Sequence, residues 1–111
     1  MVIGTVCKED CPVELTLRLV GGKWKTLILW ELMLSPVLRN GELIRRLPGI
    51  TSKMLVQQLR ELEEDGLVVR TTFPVVPPRV EYRLTDLGVS FRPVMEALCS
   101  WGEIWKARNL A

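Results

Sequence analysis

The segment 52–65 contains no glycine or proline, follows Thr51 and ends at Gly66, and immediately beyond it the apolar residues change their period. Thr51 has the side-chain oxygen that an N-cap needs to satisfy a free backbone N–H. Gly66 stands where a helix exit calls for a left-handed residue. Between them Leu55, Leu59 and Leu62 recur at i, i+4 and i+7, one stripe of a helix over Ser52–Asp65. Then Leu67–Phe73 and Arg79–Leu84, rich in Val, Thr, Phe and Tyr, read as two strands joined by Pro74-Val75-Val76-Pro77-Pro78.

The flanking sequence narrows the choice further. Residues 1–10 read as an N-terminal arm. Pro12 can open a helix, since its missing N–H costs nothing in the first turn. That helix runs about Pro12–Val20, with Val13, Leu17 and Val20 on one stripe, and Gly21-Gly22 ends it. A second helix, about Lys23–Leu34, is apolar over most of its circumference and is expected to be central and buried. After Ser35-Pro36 a short helix, Gly41–Leu47, directs Leu43, Ile44 and Leu47 inward, and Pro48-Gly49 turns the chain. Thr85 resembles a second N-cap. A final helical region, Asp86 to about Arg108, is expected to break or kink near Pro93 and again at Gly102. Short helix, turn, capped helix and hairpin, in that order, predict a mainly α domain with a small β-hairpin (α+β), a winged helix-turn-helix. The helix-turn-helix would span about 41–65 and the wing about 67–84, within a single domain over 11–111.

The helix Ser52–Asp65 carries two unlike faces. Lys53, Gln57 and Arg60 share the spacing of the leucine stripe on another side, flanked by Ser52 and Val56. Lys and Arg can donate to guanine O6 and N7, Gln can pair with adenine, and Val can touch a thymine methyl. The same pattern also fits the solvated face of any amphipathic helix. Charge distribution favours the first reading. The net charge is only +2, but from Arg39 to Arg60 five basic residues (Arg39, Arg45, Arg46, Lys53, Arg60) face Glu42 alone, and Glu61, Glu63, Glu64 and Asp65 follow at once. A helix basic at its start and acidic at its end suits N-terminal docking to phosphates, with the acids, read as a solvated helix end, held away. On the hairpin Arg79 can reach a minor groove or phosphate, or can be an exposed strand-end charge.

Other chemistries find little support. The chain has no histidine, no glycine-rich phosphate loop and no nucleophile motif, so no enzyme, cofactor or metal site is expected. The apolar run Leu27–Leu34 is interrupted by Glu31, so no membrane span is expected. With no recognisable signal peptide, the expected location is the cytoplasm.

Several short motifs, in order, carry a resemblance. Cys11-Pro12-Val13-Glu14, Gly21-Gly22-Lys23-Trp24, Gly41-Glu42-Leu43, Leu47-Pro48-Gly49-Ile50, Lys53-Met54-Leu55, Leu59–Leu67, Pro77-Pro78-Arg79-Val80-Glu81-Tyr82, and Leu84-Thr85 with Gly88 resemble the HxlR family of winged-helix transcription regulators. The resemblance covers residues 11 to about 105. It implies a homodimer on a pseudo-palindromic double-stranded DNA operator; because a dimer seated over a promoter blocks polymerase without further machinery, repression is the expected mode. It implies DNA contacts from Ser52, Lys53, Gln57 and Arg60 on the recognition helix and Arg79 on the wing, to which the charge and groove readings add Arg39 and Val56. It implies dimer contacts from the first and last helices (11–20 and 86–108), for which Val13, Leu17, Trp101 and Trp105 are the candidates. Two residues depart from the family pattern. Asn40 replaces an aromatic before Gly-Glu-Leu, which weakens or replaces a packing contact, and Ser52 replaces a proline after the N-cap. For the tryptophan pair, intrachain core packing is the alternative. For the whole chain, the alternative is a winged-helix protein-interaction module without specific DNA binding. A regulator gated by a small molecule is a third reading, with no effector identifiable.

Cysteine arithmetic gives a separate expectation. In an intracellular chain Cys7, Cys11 and Cys99 should rest mainly as thiols, and three cannot complete an intrachain disulfide framework. Cys11 falls at a helix N-terminus, which lowers a thiol pKa, so it is a candidate redox switch with Cys7 as its resolving thiol. The alternative for Cys11 is a small buried hydrophobe. Cys99 is expected to pack within the last helix.

Overall fold

A computed structural model describes residues 11–110. The elements run α1 (Pro12–Val20), α2 (Lys25–Leu34), α3 (Asn40–Arg46), α4 (Ser52–Glu64), β1 (Val68–Phe73), β2 (Arg79–Leu84), α5 (Asp86–Ser90) and α6 (Arg92–Asn109). The expected N-terminal arm, 1–10, lies outside the described residues.

Helix ends follow local chemistry. At the start of α4, Thr51 Oγ1 accepts a hydrogen bond from Met54 N at 3.1 Å, so Ser52 in place of proline leaves the cap intact. Gly66, at φ +78°, adopts the left-handed conformation that ends α4 and lets Leu67 N return to the Leu62 carbonyl at 2.9 Å. Thr85 Oγ1 accepts from Gly88 N at 3.0 Å and caps α5. The final helical region breaks once, at Phe91. Pro93 falls in the first turn of α6, where no N–H is required, and Gly102 leaves the helix continuous. The expected break at Gly102 is therefore absent, because a helix interior tolerates one glycine at a cost of only about 1 kcal/mol.

The strands form an antiparallel pair from Val68↔Leu84 to Phe73↔Arg79. Leu38 adds a bridge that periodicity does not reveal: its N donates to Tyr82 O (3.1 Å) and its O accepts from Tyr82 N (2.8 Å). This fastens the α2–α3 connection to the root of the wing. The core lies between α2, α3, α4 and the hairpin, with Ile28, Leu29, Leu32, Leu38, Leu43, Leu55, Leu59, Leu62, Val68 and Met95 essentially buried. Full burial of such side chains stabilises by roughly 1.5–3 kcal/mol each. The α4 stripe is buried as its spacing predicts. Helix α2 is less enclosed than expected, since Leu27 and Leu34 are exposed. Those residues belong to a larger set, because Val13, Leu15 and Leu17 of α1 and Val94, Leu98, Trp101, Ile104 and Trp105 of α6 are also exposed. The tryptophans thus do not pack into the core of their own chain.

Candidate nucleic-acid interface

The outer face of α4 forms one open groove, lined by Ser52, Lys53, Val56, Gln57, Arg60 and Glu61. The leucine stripe fixes which face this is. With Leu55, Leu59 and Leu62 locked in the core, the polar residues between them have nowhere to go but outward. Among the described residues Lys53 and Arg60 make no ion pair, so both cations remain available.

Two of the four acids behind them are committed. Glu61 Oε1 lies 2.6 Å from Lys25 Nζ, and Glu63 Oε1 lies 3.7 Å from Arg70 Nε. Lys25, buried at the start of α2, holds the Glu61 carboxyl below the usual carboxylate range, chiefly through their hydrogen bond. Glu61 is therefore part of the groove and not merely a solvated helix end, as the sequence suggests. A buried lysine one helix away is what that pattern cannot show.

Arg39 and Arg79 occupy a second hollow, between the start of α3 and the wing. It is lined by Arg39, Asn40, Gly41, Arg70, Pro77, Pro78, Arg79, Val80 and Tyr82. Arg39, Arg70 and Arg79 all line it with no acid among the lining residues, although Arg70 also pairs with Glu63 and Arg79 with Glu81 from outside it. Asn40, half-buried as the first residue of α3, faces this hollow in place of an aromatic. Burial pushes the Tyr82 phenol above its ordinary pKa. Arg79 is held from two sides. Its guanidinium stands 4.4 Å from the centroid of the Phe73 ring across the strand pair, and its Nε lies 3.4 Å from Glu81 Oε2 without hydrogen-bond geometry. Glu81 also draws Arg83, at 3.6 Å, so one carboxylate organises two wing arginines.

The basic count near α3 is smaller in space than in sequence. Arg46 Nη1 donates to Ser35 Oγ at 2.6 Å and lies 3.7 Å from Glu31, so it braces the end of α2. Glu42 accepts from Arg39 N at 2.9 Å and caps α3.

The cysteine expectation needs correction. Cys11 is half-buried just before α1 and is disulfide-bonded in this structure, in place of the expected thiol. Bonding depends on which sulfurs come together, which counting cysteines does not reveal. Cys99 is a free thiol exposed on α6, not packed as expected: one turn after buried Met95, it lines an open apolar groove with Thr26, Leu27, Trp30 and Leu98. Cys7 lies outside the described residues.

A helix-turn-helix with an unpaired basic face, followed by an arginine-bearing wing, defines a winged-helix DNA-binding transcription regulator. The chain belongs to the HxlR-like helix-turn-helix family, whose pattern matches residues 19–110. It is 48% identical over 104 residues to the HTH-type transcriptional regulator YkvN of Bacillus subtilis (strain 168), covering 94% of this chain and 87% of that protein. An HTH-type transcriptional regulator of Methanothermobacter thermautotrophicus is 50% identical over 95 residues, covering 86% of this chain and 72% of that one. Among solved structures, the redox regulator HypR in its oxidized form superposes with a TM-score of 0.79 at 45% identity, covering 84% of this chain and 95% of that chain. No helix among the described residues is long and apolar enough to cross a membrane.

Proposed function

We propose that this regulator is a cytoplasmic homodimeric repressor that places α4 of each protomer in successive major grooves of a pseudo-palindromic operator. It acts by binding, with no catalytic step. The observation that carries this reading is the α4 groove, where Ser52, Lys53, Val56, Gln57 and Arg60 stand together with two uncommitted cations. Arg39 and Arg79, which share the second hollow with Arg70, would engage the adjacent backbone from there. The dimer would form through α1 and α6. On α6 the exposed Val94, Leu98, Trp101 and Trp105 alternate at spacings of four and three, the seam of paired helices. Half-sites should then lie about 10 base pairs apart.

The test is salt-dependent binding of the protein to its operator, selected from random DNA. Each phosphate neutralised contributes a slope of about −0.9 in log affinity against log salt. Arg79→Gln is expected to lower that slope by about one unit and to weaken all sequences alike. Affinity that is indifferent to salt and to DNA sequence would instead support the protein-interaction reading.

A thiol switch at Cys11 is supported by its disulfide in this structure and by the likeness to a redox regulator. A thiol-oxidising reagent would take two electrons and two protons from Cys11 and a second cysteine, for which Cys7 is the candidate. The bond would restrain the entry to α1, and with it the dimer. Cys11→Ser should bind DNA equally before and after oxidant, whereas the parent protein changes. Unaltered oxidant sensitivity in the variant would remove Cys11 from the switch.

A further inference from the structure

Gln57 and Glu61 stand one turn apart on α4, and both line the groove on its outer face. The two oxygens of Glu61 have different tasks. Oε1 takes the Lys25 ammonium at 2.6 Å, and Oε2 accepts from Gln57 Nε2 at 3.4 Å. Lys25 is only 11% exposed at its side chain and is anchored at the start of α2, so the carboxylate is tied to the core and not to a mobile partner.

An ionised carboxylate can only accept hydrogen bonds. It therefore attracts the amino end of the Gln57 carboxamide and repels the carbonyl end. A glutamine free in solvent would present either end to a base edge. Here one N–H is taken by Glu61, and Oε1 with the remaining N–H stays available as an acceptor–donor pair. That pair complements N6–H and N7 of adenine.

We infer that Glu61, anchored by Lys25, is a positioning residue that fixes the orientation of the Gln57 amide and thereby the base-pair preference at the position Gln57 meets. The inference rests on the reading that the outer face of α4 faces base pairs. A purely structural Lys25–Glu61 staple between α2 and α4 would affect stability and affinity for every sequence alike. A positioning role affects the choice of base at one position in each half-site.

The experiment compares the full-length protein with Gln57→Ala, Glu61→Gln and the double variant on a set of operators changed one base pair at a time. Gln57→Ala is expected to lose discrimination at one position in each half-site. Glu61→Gln should lose it at the same position, by about tenfold, and add nothing to Gln57→Ala in the double variant. Replacing both Lys25 and Glu61 with methionine removes the acceptor without leaving a buried charge unpaired, so it keeps the test open if Glu61→Gln folds poorly. It should show the same relaxed position. Retained preference at that position in both Glu61 variants, or a uniform loss across all operators that tracks the melting temperature, would overturn the role of Glu61. If Gln57→Ala changes no base preference, the placement of α4 against bases falls, and the inference falls with it.

Discussion

Replacing Trp101 and Trp105 together with aspartate is expected to turn the proposed dimer into a folded monomer and to abolish operator binding at physiological salt. Both rings lie exposed on α6, at 65% and 46%, so their removal leaves the core of the protomer intact. Buried aromatic anchors at an interface typically cost about 2 kcal/mol or more each when truncated. With about 1.4 kcal/mol per tenfold, the pair should weaken association by about three orders of magnitude, and the introduced charges add to this. Monomeric protein would hold one half-site and lose the affinity that comes from engaging two at once. Sedimentation and circular dichroism check both halves of the prediction. A variant that stays dimeric and bound to its operator would move the interface away from α6.

The second large effect lies in the core. Leu59→Ala should destabilise the domain by about 2–5 kcal/mol, the cost of deleting a buried leucine and leaving a cavity. Leu59 is 1% exposed and sits at the middle of the α4 stripe, against a total stability of about 5–15 kcal/mol for a domain of this kind. Urea unfolding of the protein, followed by helix content at several protein concentrations, reads this directly. Val56→Ala, three residues earlier on the exposed face, should leave stability within about 0.5 kcal/mol and act only on DNA affinity. Similar losses of stability in the two variants would mean that α4 is rotated from the orientation described.

These contrasts follow from α4, whose orientation is legible in the amino-acid sequence. Its leucine period, its Thr51 cap and its Gly66 exit are local signals, and each is met by the expected geometry. The hairpin is equally legible, because the apolar period changes at Leu67 and prolines mark the tip. The outward set Ser52, Lys53, Val56, Gln57 and Arg60 follows from the same helical spacing. Pro93 marks the break in the last helix to within two residues, but Gly102 marks none, because a single glycine does not end a helix that has other reasons to continue.

What sequence by itself determined is therefore what depends on neighbours along the chain: helix caps, strand period, the two faces of α4 and the order of elements that makes a winged helix. What only the tertiary structure decided is what depends on residues distant in sequence and close in space. Lys25 meets Glu61 across two helices, Arg46 is drawn to Ser35 and away from the basic patch, and Leu38 is bridged to Tyr82. Arg70 joins Arg39 and Arg79 in one hollow. Charges can be counted along a chain, but their availability depends on the partner each one finds, and that is set by how the elements pack.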